Sequence, residues 1–477
     1  LLASISTVDL AYHVRAGAVI LDGRALPSPD TFTFTAAGQP WVDQQWAAQT
    51  VFAAVFRVGG WGLLTVLRAA AVGTISWLVF RAARSSGVGT RAAAWLTLAG
   101  FGVGLVALGL RPQLLGMVLF AATVAILAGR DRYPRLVGTI PLIALAWANV
   151  HGSFFLAPAA VGVAWLEDTR SARPGARRLL AVLVASGLAT LLNPYGPSVW
   201  NYAVGLAANP TIRRLITEWQ PTSPLSFAGL MFYGSIVALL IGMAIWLRAV
   251  GPRDRRALLD RAWPTLAWLG GLIAIGAFAE RGVAWWSIAA PVAVARLIAI
   301  QRSIVQAAGA DAPPGSATPP TGEPRRSLVP SLMVAVLCLA VVGLLPVWRA
   351  GDVRYGPPGL LTDAPRGLTE ALAAEVQPGI RIWNAQRWGS WLEFAMPDAK
   401  VAVDSRIEFF PAYVWDDHLA VSAGAPGWEA ILDRWQVTVV VASATEQRSL
   451  IPLLRASPVW TAVYDGPDGA VFVRRPH

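Results

Sequence analysis

Long apolar runs recur up to about residue 348, separated by short polar segments rich in arginine. A helix needs about 20 apolar residues to cross the hydrocarbon core of a bilayer. Runs of that order lie at 61–80, 92–110, 112–128, 226–247, 262–279, 283–300 and 328–347. Shorter runs lie at 136–150, 153–166 and 179–192. A helix of about 15 residues is only about 22 Å long, so the pair flanking His151 reads as a short hairpin as readily as two crossings. Residues 46–59 are apolar but short and carry Arg57, which predicts an interfacial helix. Residues 7–21 predict another, because Leu10, Val14, Ala18 and Leu21 recur at three- and four-residue steps. The apolar residues at Leu1 read as the end of a preceding span.

Loop charges orient these spans, since cytoplasmic loops carry the Lys/Arg excess. Taken alternately, loops 81–91, 129–135, 167–178, 248–261 and 301–327 hold eighteen arginines. The opposite loops hold four: Arg111, Arg213, Arg214 and Arg281. This bias puts the Arg-rich loops in the cytoplasm. Residues 1–60, the turns at Arg111, His151 and Glu280–Arg281, and loop 193–225 then fall outside. Loop 303–327, rich in Pro, Gly and Ala, reads as a flexible cytoplasmic linker.

Composition agrees. Of 477 residues, 55% are hydrophobic and 14% charged, against about 25% charged in a soluble domain. Mean hydropathy is +0.52. Disorder is excluded, because it needs low hydrophobicity and high charge. The pI of 10.7 does not imply a nucleic-acid partner, since most of the excess sits in short loops between apolar runs. Cys338 is the lone cysteine, so any exported part folds without an internal disulfide. Residues 349–477 change character: 12 basic and 15 acidic residues make the segment net negative. Its short β-rich runs (GIRIWN, KVAVDSR, VTVVVAS, WTAVYD, AVFVRR) alternate with helical stretches near 366–376, 412–423, 427–435 and 445–456. That pattern predicts a small α/β domain with a partly parallel sheet. The expected domains are thus an extracytoplasmic segment 1–60 with interfacial helices, a transmembrane domain 61–348, and an extracytoplasmic α/β domain 349–477.

Candidate chemistry gathers on the outer face. Asp9 stands in the first turn of the 7–21 helix, where Ser6-x-x-Asp9 also reads as a capping box. His13 follows four residues later on the same helical face, placed to orient Asp9 by a hydrogen bond. Arg111, Arg213, Arg214 and Arg281 are candidates for phosphate, which the guanidinium fork suits; a snorkelling interfacial role is the alternative. His151 contacts substrate or caps a hairpin. Asp43 and Glu218 are candidates for acceptor contact. Asp404-Ser-Arg406 is a salt-bridged strand end or an acceptor site. Trp61 and Trp200 suit a membrane belt, whereas Trp41, Trp46, Trp219, Trp285 and Trp286 could stack on a sugar. No nucleotide fingerprint, P-loop or zinc spacing occurs, which disfavours a nucleotide-sugar donor.

The stretch Asp9-Leu-Ala-Tyr12-His13 resembles part of a D-x-D-x-x-W-H pattern of the GT-C superfamily. Those are integral membrane glycosyltransferases that take sugars from polyprenyl-phosphate carriers. FTFTAAGQPWVDQQW (32–46), Arg111-Pro-Gln, WANVHGSF (147–154), Asn193-Pro-Tyr-Gly, Glu218-Trp-Gln-Pro, WNAQRWGSWL (383–392) and VAVDSRIEFF (401–410) are similar to further stretches of uncharacterised bacterial members. The resemblance implies a polytopic GT-C-like protein of about 10–11 spans with a small C-terminal α/β domain, in a bacterial inner membrane with its active face outside. It implies inverting transfer from a polyprenyl-phosphate sugar to a glycan, lipid or protein acceptor. Asp9 would be the base; His13, Asp43, Arg111, His151, Glu218, Arg281, Asp404 and Arg406 would bind substrate. Thr7 stands where the pattern has its first acid, which weighs against paired carboxylates or a bound metal. Mg²⁺ or Mn²⁺ is the one cofactor left open. A transporter or flippase of lipid-linked sugars would need ionisable residues within its spans, and Arg68 and Arg296 are almost the only ones. A scaffold subunit of an envelope complex is the third reading.

Overall fold

The computed structural model describes residues 4–23, 25–249, 252–309 and 351–475, together with Val336 and Gly343. The expected span at 328–347, Cys338 and most of the expected linker 303–327 lie outside the described residues.

Twelve helices precede residue 310 among those described. They are α1 (Thr7–Gly23), α2 (Trp46–Ser85), α3 (Thr90–Gly104), α4 (Pro112–Ala128), α5 (Ile140–Ala148), α6 (Leu156–Arg170) and α7 (Ala176–Ala189). Then come α8 (Ser198–Ala208), α9 (Pro210–Leu215), α10 (Phe227–Ala249), α11 (Pro252–Phe278) and α12 (Val283–Gly309). Four stretches are long and apolar enough to cross a membrane: Trp46–Ser85, Thr90–Ala107, Phe227–Arg248 and Glu280–Ile304. In the last of these 72% of the most apolar stretch is buried, against 6% in Phe227–Arg248. Thus α12 is the central helix, and α10 turns its apolar side chains outward, as a lipid-facing helix does.

Helix α2 breaks at Gly59–Gly60, between the expected interfacial helix and the first span. Gly60 takes φ 58°, a left-handed conformation open to glycine without a Cβ penalty. Gly17 of α1 lies so close to α2 that a Cβ there would fall 2.0 Å from the Gln49 carbonyl oxygen. Both expected mid-span arginines have partners: Arg68 Nη1 donates to the Ser4 carbonyl at 3.1 Å, and Arg296 pairs with Glu167. Arg130 joins the latter network through Glu167 and Asp168, both of which it meets with one terminal nitrogen.

The C-terminal domain is built on a five-stranded mixed sheet. Its strands follow β1 (Ile5–Ser6) and β2 (Leu361–Thr362), and are β3 (Arg381–Asn384), β4 (Lys400–Val401), β5 (Val439–Ser443), β6 (Trp460–Asp465) and β7 (Gly469–Arg474). The order is β4-β3-β5-β7-β6, parallel across β4, β3 and β5 and antiparallel across β7 and β6. Central β5 is buried throughout, which suits its unbroken apolar run.

The first sixty residues pack against the C-terminal domain. Strand β1 pairs in parallel with β2, and Phe34 N–H donates to the Val401 carbonyl. Trp61 is only 1% exposed and its indole N–H donates to the Arg354 carbonyl at 2.8 Å. Its ring meets Phe394 edge-on at 5.2 Å. This tryptophan is therefore buried where the helices meet the C-terminal domain, not placed in a membrane belt. Trp200 likewise turns inward, edge-on to Phe154 at 4.9 Å.

Candidate active site

The N-terminal ends of α1, α4 and α12 converge, and four of the expected site residues meet there. Asp9, in the first turn of α1, reaches Arg111 with Oδ2 2.9 Å from Nε. Arg111 caps the N-terminus of α4, where the helix dipole disfavours a cation. Two carboxylates offset that: Asp9 on one side and Glu218 on the other. Asp9 above all, then Glu218, raises the Arg111 pKa and keeps it charged. Glu218, in the 3₁₀ turn Thr217–Trp219, also pairs with Arg281 at 3.5 Å. The Arg281 guanidinium lies over the Trp219 ring at 5.1 Å. So Asp9, Arg111, Glu218 and Arg281 form one alternating chain of charges. Glu280, the sequence neighbour of Arg281, is not in it.

That chain borders a cavity of about 200 Å³ lined by Ser4, Ser6, Arg68, Gln113, Glu280 and the 106–111 turn. Separately, α3 and α12 face α10 across an apolar cavity of about 430 Å³. It runs along α12 from Trp286 to Ile298 and along α10 from Ser235 to Trp246.

His13 is 3% exposed and packs on Tyr12 and Phe52. Burial, then the charge of Arg111, holds its pKa down to about 3, so it is neutral. Its Nδ1 has no partner, and Asp9 is oriented by Arg111 instead of by this imidazole. His151 sits in the turn after α5, within hydrogen-bond reach of Ser153 Oγ at 2.7 Å, with its ring 6.2 Å from that of Trp285. Burial, then Arg281, brings its pKa down to about 3 as well.

Asp43 lies in the loop before α2. Its Oδ1 accepts from Gln49 Nε2 at 2.7 Å, its backbone N–H donates to Tyr195 Oη at 2.8 Å, and Oδ2 is buried without a partner. Burial pushes this carboxyl up to about 7. Burying a carboxylate without a full set of hydrogen bonds costs free energy, so this side chain keeps its proton to higher pH than an exposed aspartate does.

Asp404 and Arg406 lie elsewhere. Arg406 is enclosed by Asp404 at 2.5 Å, Asp30 at 2.9 Å and Glu393 at 3.8 Å. Its guanidinium stacks over Trp41 at 4.4 Å and Phe409 at 4.8 Å. Burial alone would lower its pKa; the three carboxylates, Asp404 foremost, raise it instead. Asp404 and Arg406 are 0% and 2% exposed, so they meet one another and the 30–41 loop, not a dissolved acceptor. Trp41, Trp285 and Trp286 are buried too, which removes them as sugar platforms. Trp219 lies half-buried beside the charge chain. Arg213 lies over Phe278, and Arg214 pairs with Asp416 at 3.3 Å, outside the chain.

One residue near the site escaped the sequence reading. Glu408, in the 3₁₀ turn Ile407–Phe409, accepts from the Tyr202 hydroxyl at 3.2 Å. Its position two residues after Arg406 was the only available signal. Among the described residues no three His, Cys, Asp or Glu side chains gather as candidate metal ligands, and Asp9 is held by Arg111.

No protein-family model matches the chain, and no curated protein matches it in sequence. Among the solved structures similar in fold are two oligosaccharyltransferases. One is the archaeal oligosaccharyltransferase AglB from Archaeoglobus fulgidus, in complex with an inhibitory peptide and a dolichol-phosphate. It is 12% identical, with a TM-score of 0.50 over 99% of this chain and 71% of that one. The other is the Archaeoglobus fulgidus oligosaccharyltransferase tethered by a disulfide to an acceptor peptide containing the NVT sequon. It is 10% identical, with a TM-score of 0.52 over 99% of this chain and 70% of that one. At such identities the likeness is one of fold. The chain is a polytopic helical membrane protein with a C-terminal sheet domain, and nearly end to end its fold is similar to the GT-C-like fold of the AglB oligosaccharyltransferases.

Proposed function

We propose that the protein is a glycosyltransferase that moves a sugar from a polyprenyl-phosphate donor to an extracytoplasmic acceptor. The observation that carries this reading is a polar cavity bordered by Arg111 and Arg281, which could hold a phosphate, together with an apolar cavity between α3, α10 and α12 in the same bundle. A phosphate joined to a long isoprenoid chain has one polar and one apolar half. The dolichol-phosphate bound by AglB is of the same chemical class.

In this reading the donor's phosphate lies against Arg111 and Arg281, which stabilise negative charge as the C1–O bond breaks. Asp9 and Glu218 hold the two guanidinium groups in place. A phosphate is already a good leaving group, so no second carboxyl need protonate it, unlike an ordinary glycoside. The remaining chemistry is removal of a proton from the acceptor. Inversion at the sugar follows from a single displacement. The membrane is a bacterial plasma membrane, with this face outside.

The test is donor binding and turnover by the purified protein with a panel of radiolabelled polyprenyl-phosphate sugars. Arg111→Gln is expected to weaken donor binding at least about tenfold, the loss of one charge-assisted contact of about 1.5–3 kcal/mol. Wild-type protein that neither binds nor consumes any donor would leave a transporter or scaffold.

A further inference from the structure

The polar cavity bordered by Arg111 and Arg281 is also walled by Ser4, Ile5 and Ser6, so strand β1 is part of that site. A two-residue strand contributes little by its own pairing, and side chains hold it from two directions. From the helical bundle, Arg68 Nη1 donates to the Ser4 carbonyl at 3.1 Å. From the C-terminal domain, the Leu360 carbonyl accepts from the Ile5 N–H at 2.8 Å, and Asp363 Oδ2 accepts from the Ser6 hydroxyl at 2.9 Å. Asp363 does not itself line the cavity; it reaches the wall at one remove. Its φ of 63° is left-handed, a conformation that glycine adopts without a Cβ penalty. Glycine would serve the turn better, so what an aspartate supplies there is its carboxylate. Both oxygens are engaged: Oδ2 on Ser6, and Oδ1 on Arg387, which donates from Nε at 3.1 Å and from Nη2. The Asp363 side chain is only 9% exposed. Arg387 stands in the 3₁₀ turn Gln386–Trp388 and is itself flanked by Glu446 at 3.8 Å. A carboxylate gripped at both oxygens cannot swing, so the Ser6 hydrogen bond ties the cavity wall to the frame of the C-terminal domain.

Resting on the glycosyl-transfer reading above, we propose that Asp363, clamped by Arg387, is a positioning residue of the donor site. Through Ser6 it fixes the wall of the polar cavity. It also fixes the entry to α1, three residues before Asp9 reaches Arg111. Misplacing a reacting group by about 1 Å can cost about 10²-fold in rate. A domain that lines no part of this cavity can therefore still govern turnover by setting where β1 lies.

The experiment compares full-length wild type with Asp363→Gly, Ser6→Ala, the double variant and Arg387→Gln. It reads Tm, amide hydrogen exchange across residues 4–10, and kcat and KM with the radiolabelled polyprenyl-phosphate sugar that wild type consumes. Asp363→Gly keeps the left-handed turn and removes the carboxylate, so Tm should stay within a few degrees. Exchange across 4–10 should rise severalfold while the rest of the chain stays protected, and kcat/KM should fall about ten- to a hundredfold. Adding Ser6→Ala should cost little more, because both changes remove one contact. Should Asp363→Gly fail to fold, Arg387→Gln decides: it leaves β1 and the turn intact, and should give the same local exchange with a smaller fall in kcat/KM. Unchanged exchange across 4–10, kcat/KM within about twofold of wild type, or additive losses in the double variant would overturn the assignment and leave the transferase reading standing. Wild-type protein that neither binds nor consumes any donor would overturn that reading, and this role with it, even if β1 were loosened.

Discussion

Asp9 Oδ2 and Arg111 Nε meet at 2.9 Å, joining the first turn of α1 to the N-terminus of α4. The contact places a cation where a helix end alone would favour an anion, and so concentrates positive potential from two sources. Its energetic weight is measurable. In a double-mutant cycle of Asp9→Asn and Arg111→Gln, the donor-binding losses should be non-additive by about 0.5–3 kcal/mol, as for residues in one charge network. Additive losses would separate the two roles.

Asp43 should make stability depend on pH. Its folded carboxyl titrates at about 7, against an ordinary 3.8. A group whose folded pKa is raised binds more protons in the folded state, so its contribution is fully present below about pH 4 and fades as pH rises through 7. Asp43→Asn cannot ionise. It should therefore raise Tm relative to wild type at pH 8 and do so much less at pH 5. An equal difference at both pH values would show that Asp43 is not buried as a protonated acid.

The Arg406 cluster should be unforgiving. Removing one partner of a buried ion network leaves uncompensated charge and costs about 3–5 kcal/mol. Arg406→Met strands Asp404, Asp30 and Glu393, and should expose the junction of the C-terminal domain to proteolysis. Lysine should not rescue it, since a single ammonium cannot replace the planar fork stacked on Trp41. Limited proteolysis with mass mapping of the released fragment reads this directly.

The apolar cavity offers a test of donor length. Nothing lies within 4 Å of a Cβ built at Gly242, so Gly242→Phe should fold and fill the space facing α12. It should weaken a long-chain polyprenyl-phosphate sugar severalfold and spare a short-chain analogue. Equal effects on both donors would place the chain elsewhere.

The long spans, the helix from Thr7 and the tail strands were legible in the sequence because each is a local pattern of apolar residues. The pairing of Arg111 with Asp9 and Glu218 was not, although all three residues stood out, because spacing along the chain says nothing about which outer turns meet. The Asp404–Arg406 pair was legible as a salt-bridged strand end, but its enclosure by Trp41 and Asp30, hundreds of residues earlier, was not. Trp61 misled because a tryptophan at a span end fits a membrane belt and a domain junction equally well. Glu408 went unnoticed because its partner Tyr202 lies on another domain.

Strand β1 closes on β2 through Ile5–Leu361 and Ser6–Thr362, and the Thr7 hydroxyl donates to the carbonyls of Thr362 and Asp363. The helix bearing Asp9 is thus seated by residues made more than 350 positions later. During synthesis, α1 cannot take this seat until residues 361–363 have been made. Such distant closure is slow to form. A chain cut short before β2 would leave the helix that carries Asp9 without that seat.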